Sequence, residues 1–275
     1  GGLTAISTML VSMRMARLLF RESRLDPLWA PAIVGLIYVS SPTFFSWMIW
    51  SLMDIGLWVF LIALLAYSAI AIFDEELRSK RHSPALAAAF LSASAAIPLC
   101  RPEGIAVVVG AGMICFAAWL LVLKRPLPRT IVLGVAAGVA SVAALTAFRM
   151  AYFGYPVPTT FYAKVSTDVV AELIQGGIYT VGYLAASQTF LLFLGAAIGA
   201  IYVARPRNSG EAFSPLFAVC VIFGLVVGGL CVYTALGGDH FRGARFYQFN
   251  LPLLAPLAAV AAAGGIKAAS AILRP

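Results

Sequence analysis

The chain has 275 residues, of which 62% are hydrophobic and only 11% charged. That is too little polar surface to coat a soluble globule of this size, and a mean hydropathy of +0.96 excludes a water-soluble enzyme. The net charge of +8 is no sign of a nucleic-acid partner, because a bilayer protein collects Lys and Arg on its cytoplasmic loops.

The uncharged runs approach the roughly 20 residues that a helix needs to cross about 30 Å of hydrocarbon. Only a short apolar stretch precedes Arg14 and Arg17, so the first helix reads as the tail of a longer one. We therefore expect a fragment whose first span and first outer loop precede Gly1. Charges follow the apolar stretch instead of leading it, which argues against a signal peptide. A basic segment then leads to an apolar run over 28–50, interrupted at Ser40, Ser41, Pro42 and Thr43, and to another over 55–73, with Asp54 alone between them. Further runs follow at 85–100, 105–123, 130–148, 178–204, 215–236 and 247–266, with the longest polar insertion at 149–177. The pattern predicts an all-α, polytopic transmembrane helical bundle of about nine helices, the first incomplete. It forms a single transmembrane domain over 1–275, with no internal repeat.

If every run spans, alternate loops fall on alternate sides. Fourteen of the nineteen basic residues, among them Arg14, Arg21, Arg78, Lys124, Arg205 and Lys267, then collect on one side. By the positive-inside rule that side is cytoplasmic, and the loops around Asp54, Arg101, Lys164 and Asp239 face outward. The four cysteines lie within or at the end of apolar runs, where they read as packing residues instead of a disulfide or metal framework.

The outward loops carry Arg101, Arg149, Lys164, Arg242 and Arg245 together with Asp54, Glu103, Asp168, Glu172 and Asp239. An ionisable group at a membrane boundary costs free energy unless pairing, water or a ligand offsets it, so these residues are functional candidates. Asp54 has two readings, a helix N-cap or a functional carboxylate, and the two are compatible. Arg101, Pro102, Glu103 and Gly104 put opposite charges at a helix junction. This is either a self-satisfied ion pair or a guanidinium steadied by Glu103 to grip a phosphate. Between Arg149 and Lys164, prolines and aromatic rings, Tyr155 and Tyr162 among them, form either an anchoring belt or a ligand-facing loop. Gly237 and Gly238 precede Asp239 and His240, and Arg242 and Arg245 follow on nearly one helical face. A His/Cys zinc site is not expected, since His82 falls on the opposite side from His240.

Taken in order, Ser51-Leu52-Met53-Asp54, Arg101-Pro102-Glu103-Gly104, Tyr152-Phe153-Gly154 through Pro158-Thr159-Thr160-Phe161-Tyr162-Ala163-Lys164, and Gly237-Gly238-Asp239 with Arg245-Phe246 resemble the bacterial multi-spanning glycosyltransferases of the GT-C class. The likeness is to those similar to arabinofuranosyltransferases, and it covers most of the chain. The resemblance implies a GT-C-like fold in the bacterial cytoplasmic membrane. It also implies transfer of a sugar from a polyprenyl-phosphate donor to a glycan or lipid acceptor of the cell envelope, outside that membrane. Two departures stand out. Members carry an acidic motif in a first outer loop that here would precede Gly1, and they tend to have Gly-Leu-Glu where this chain has Leu52-Met53-Asp54.

On this reading Asp54 and Asp239 are the expected catalytic carboxylates. Arg101, Glu103, Arg149, Lys164, His240, Arg242 and Arg245 serve the donor phosphate and substrate contacts, and Tyr155 and Tyr162 stack on sugar. Direct displacement from a phosphate donor implies inversion. A divalent cation, Mg or Mn, bridging Asp54, Asp239 and phosphate is compatible with these residues, and no residue pattern fixes one. The alternative is a transporter or flippase of lipid-linked sugars, which the helix breaks at Ser40 to Thr43 and near Asn250-Leu251-Pro252 keep open.

Overall fold

A computed structural model describes residues 1–22, 25–50, 54–78, 83–120, 127–156, 168–204, 213–238 and 244–272. Among these residues there are eleven α-helices and no strand. They are α1 (Gly2–Glu22), α2 (Trp29–Val39), α3 (Pro42–Phe45) continued by a π-turn (Ser46–Trp50), α4 (Ile55–Leu77), α5 (Pro84–Cys100) and α6 (Gly104–Ala118). The rest are α7 (Arg129–Phe153), α8 (Val169–Ala185), α9 (Ser187–Ala204), α10 (Phe213–Ala235) and α11 (Asn250–Ile272), with a 3₁₀ turn (Arg245–Tyr247) before the last.

Helix α4 organises the bundle. Its 23 residues extend about 35 Å at 1.5 Å per residue, enough to cross a bilayer, and it is the most buried of five helices with that capacity. It packs against α1, α5 and α10. Near its C-terminal end Phe73 stacks on Phe217 with ring centroids 3.9 Å apart, while Trp119 meets Phe73 edge-on at 4.7 Å. Asp54 precedes α4 and Asp74 lies in its last turn, so the two acids mark opposite ends of the bundle.

At the Asp74 end the buried carboxylate takes Arg21 Nη2 at 2.7 Å and Arg78 Nε at 3.1 Å. Both guanidinium groups reach solvent and the acid does not. Asp74→Asn is expected to cost about 2 kcal/mol, in the range for hydrogen bonds to charged groups. A lowered unfolding temperature of the purified full chain would show it, and an unchanged one would mean that the pairs contribute nothing.

Close helix pairing comes from small residues four apart, which let backbones approach without a side chain between them. On α7, Gly134 makes room for the Phe90 ring of α5, and Gly138 lies against Val108 of α6 and the α5 backbone, where a Cβ would stand 3.1 Å from the Ser94 carbonyl oxygen. That carbonyl sits one turn before Pro98, which has no N–H to offer it. Gly195 and Gly199 of α9 lie on Leu257 and Ala258 of α11 in the same manner.

The helix count exceeds the expected nine because two apolar runs are broken. The run over 28–50 divides at Ser40 and Ser41 into α2 and α3, whose axes differ by 76°. The run expected over 178–204 begins earlier, at Val169, and bends by 75° between α8 and α9. If each bent pair counts as one span, up to seven spans result. Helices α5 and α6, each expected to span, have 17 and 15 residues, which at 1.5 Å per residue is about 25 and 22 Å, short of a full crossing.

Helix α8 starts at Asp168, whose carboxylate accepts the amides of Val170 and Ala171 as an N-cap. Its polar stripe of Glu172, Tyr179, Thr180 and Tyr183 turns toward the protein, while Val170, Ile174, Ile178 and Val181 are exposed. This inverted amphipathic pattern suits a helix with lipid on one side and a polar interior on the other.

Candidate functional site

The chain order Arg-Pro-Glu-Gly builds the first part of the site. Pro102 pushes the residue before it out of helical space, and Arg101 is extended at φ −149°, ψ 133°, ending α5. Helix α6 restarts at Gly104, where a Cβ would lie 2.7 Å from the carbonyl oxygen of Ile97, so only glycine fits this close return. The turn sets Glu103 beside Arg101, and Glu103 Oε1 accepts Arg101 Nε at 2.8 Å. This is the ion pair expected from the sequence.

Asp54 reaches the same cluster from α4. It occupies the residue before the helix, yet its side chain makes no capping hydrogen bond. Instead its Oδ2 lies 3.8 Å from Arg101 Nε, with the carboxylate 48% exposed. The capping reading of Asp54 thus has no side-chain hydrogen bond behind it, and its carboxylate faces Arg101.

Three aromatic rings surround the guanidinium. Its Cζ lies 4.3 Å from the ring centre of Phe246, 5.8 Å from Trp58 and 5.9 Å from Tyr233. Such cation–π contacts suit a desolvated arginine. Tyr233 stacks on Phe246 at 4.8 Å and its hydroxyl donates to Glu103 Oε1 at 3.4 Å. Arg245, buried in the 3₁₀ turn that follows left-handed Ala244, rests its Cζ 4.8 Å from the same Phe246 ring. Phe246 thus carries two cations. Burial works against the charge of Arg101, but Tyr233, Glu103 and Asp54 outweigh it and hold the group above the ordinary arginine value. Arg101 is permanently charged.

Two donors in this cluster are left over. Arg101 Nη1 and Trp58 Nε1 are buried and have no hydrogen-bond partner among the described residues. A buried unpaired donor costs about 1–3 kcal/mol, a cost that a functional site is able to sustain when an oxygen-bearing ligand offsets it. Beside them, between α6 and α10, lies an apolar slot of about 80 Å³ lined by Trp58, Glu103, Gly110, Gly228, Gly229 and Tyr233 among others. Here glycines do not close the helix pair. A Cβ on Gly110 or Gly228 would meet nothing within 4 Å, whereas one on Gly224, a turn away, would press on Ile114. The result is a charged mouth with an apolar recess behind it.

Other expected residues fall elsewhere. Arg149 and Tyr155 lie near and just past the C-terminal end of α7, which packs on α5 and α6. Tyr162, Lys164, Asp239, His240 and Arg242 lie outside the described residues, and so does the expected bridge of a cation between Asp54 and Asp239. Among the described residues no three His, Cys, Asp or Glu side chains come together as a metal site. Sequence reasoning passed over Trp58 and Tyr233. Trp58 follows Asp54 by one helical turn, and Tyr233 is a hydroxyl-bearing ring inside an otherwise apolar run, so both signals were present.

The helices and this cluster define an α-helical, multi-pass membrane protein with an ionic and aromatic centre at one end of its bundle. Compared with protein-family models, with curated proteins and with solved structures, the chain matches none.

Proposed function

We propose that the chain is a membrane-embedded glycosyltransferase that moves a sugar from a polyprenyl-phosphate donor to a cell-envelope acceptor at the extracytoplasmic face of the bacterial cytoplasmic membrane. One observation carries this reading: two buried donors without partners, on Arg101 and Trp58, sit at the mouth of an apolar slot and next to a half-exposed carboxylate. Phosphate oxygen suits the donors, an isoprenoid segment suits the slot, and a hydroxyl nucleophile suits Asp54. For the orientation we apply the positive-inside rule to the basic residues expected on the cytoplasmic side; of these, Arg21 and Arg78 pair with Asp74 at the end of α4 away from Asp54.

In the reaction, the Asp54 carboxylate takes the proton of an acceptor hydroxyl as its oxygen bonds to the anomeric carbon. General-base assistance of this kind contributes typically about 10²- to 10⁴-fold. The bond from that carbon to the phosphate oxygen breaks on the opposite face, its electron pair leaves with polyprenyl phosphate, and the centre inverts. Arg101 stabilises the departing charge through Nη1, because its Nε is committed to Glu103. Glu103 and Tyr233 hold the guanidinium in place. Arg245 adds a second cation from across Phe246.

Transfer of radiolabelled pentose and hexose from polyprenyl monophosphate, in membranes containing the full-length protein, tests the reading. Gly228→Leu is expected to raise KM for long-chain donors by about tenfold and to spare short-chain ones, since a side chain there enters the slot without a clash. A KM unchanged for every chain length would exclude the slot as the tail site. The second reading, a transporter of lipid-linked sugars, draws on the two bent helix pairs. Absence of transfer with any donor would favour it.

A further inference from the structure

The two bent helix pairs face one cavity, separate from the Arg101 cluster. It measures about 560 Å³, within the roughly 300–1,000 Å³ usual for small-molecule sites, and shares no lining residue with the slot. Its lining includes Ser40, Ser41 and Thr43 from the α2/α3 break, Gln188 and Thr189 from the first turn of α9, Tyr183 and Gln248, and small residues of α11 such as Ala258 and Ala261. The lining contains no Asp, Glu, Lys, Arg or His.

These features select a chemistry. An ion in this cavity would leave water without a counter-charge, which is costly, so the occupant is uncharged. Hydroxyl and amide side chains from two separate helix breaks suit a ligand that both donates and accepts along its edge. The start of α9 adds amides with no partner inside the helix, whereas the carbonyls of Leu36, Ile37 and Tyr38 at the end of α2 are already met by Ser40 and Ser41. Tyr183 and Tyr247 pack on each other, their centroids 4.7 Å apart and tilted by 39°; Tyr247 is fully buried, and Tyr183 is the partly exposed ring of the pair.

A network behind the wall fixes these rings. Asn250 Nδ2 donates to the Tyr183 hydroxyl at 3.1 Å, and that hydroxyl donates to the Tyr247 carbonyl at 3.3 Å. Thr180 Oγ1 lies 2.6 Å from both the Tyr247 and the Thr234 hydroxyl. Asn250 is fully buried, yet its Oδ1 has no partner among the described residues. Turning the amide over moves the unpaired position to the other atom and does not remove it. One polar group beside Tyr183 is left to be satisfied.

We infer that this cavity is a binding site for the uncharged sugar ring of a carbohydrate, held by Gln188, Thr189 and Gln248 beside the partly exposed ring of Tyr183, which Tyr247 backs from behind. As a binding site it stands apart from the transferase reading; only its use as the acceptor subsite rests on that reading.

The test is saturation-transfer-difference NMR on the full-length chain in lipid nanodiscs free of glycosidic detergent. The probes are a neutral methyl hexopyranoside, a neutral methyl pentofuranoside and glucose 1-phosphate. At least one methyl glycoside is expected to bind and glucose 1-phosphate to bind at least tenfold more weakly. Thr189→Val combined with Gln188→Leu, and separately Ala262→Phe, which fills the cavity from an exposed position, should each weaken the glycoside at least fivefold. Circular dichroism confirms that each variant keeps its helices. Glycoside binding indifferent to both variants, equal binding of the phosphate, or no glycoside binding at all would overturn the inference. A chain that binds glycoside and transfers no sugar would overturn the transferase reading alone.

Discussion

Arg101→Ala is expected to abolish sugar transfer and to destabilise the protein by about 3–5 kcal/mol, the usual consequence of removing one partner from a buried ion pair. The size follows from what the guanidinium holds. It lies 2.8 Å from Glu103 and 3.8 Å from Asp54, and its side chain is 15% exposed, so its loss leaves a largely buried carboxylate without its cation. The contacts to Phe246, Trp58 and Tyr233 go with it. Arg101→Lys separates structure from chemistry. An ammonium restores charge, and so part of the stability, but lacks the planar fork that serves Glu103 through Nε while leaving Nη1 free for phosphate. The expected pattern is a thermal unfolding temperature between those of wild type and Arg101→Ala, with transfer still lost. Wild-type stability and transfer in Arg101→Ala would remove the cluster from the account.

Asp54→Asn is expected to lower kcat for transfer by about 10²- to 10⁴-fold while leaving KM for the lipid donor and the unfolding temperature nearly unchanged. The separation follows from its position. The carboxylate is half exposed, caps no helix and meets Arg101 only at 3.8 Å, so folding depends little on it. The Asp54→Asn side chain nearly matches the original in shape but cannot take a proton. A variant with intact kcat would assign the base elsewhere, and Asp239, the other carboxylate expected from the sequence, would be the next candidate.

Much of the bundle is legible in the sequence because bilayer crossing imposes a simple length and polarity rule. The ends of α4 are marked by Asp54 and Asp74, and the break at Ser40 and Ser41 is signalled by the following proline. The bend at Ala186 is not signalled. No proline marks it, Gly182 lies a full turn earlier, and Ala185 and Ala186 read as helix, so only tertiary packing reveals it. The start of α8 was hidden for a different reason. Its apolar residues face outward and its polar stripe inward, so the segment reads as part of a polar loop. The sequence announced the Arg101–Glu103 pair directly, through a proline and a glycine that permit one backbone path. It could not show that Tyr233 and Phe246, 130 or more residues away in the chain, close over that pair. The choice between a cap and a free carboxylate at Asp54 was likewise beyond it. That choice turns on a side-chain direction, and here Arg101 draws the carboxylate away from the helix start.

The cluster also accounts for features that no single role explains. An arginine Nη1 and an indole N–H without acceptors among the described residues, and open space beside Gly110 and Gly228 between two helices, are each unfavourable by themselves. The proposed donor, a phosphate bearing an isoprenoid chain, would satisfy all three together. The most direct measurement is photo-crosslinking of the full-length chain in membranes with a benzophenone-bearing polyprenyl phosphate, mapped by mass spectrometry. Adducts concentrated on the slot-facing residues of α6 and α10, displaced by excess polyprenyl phosphate but not by phosphatidylglycerol, and lost in Arg101→Gln, are the predicted result. Adducts scattered over the lipid-facing surface, or a slot signal indifferent to Arg101, would contradict the account.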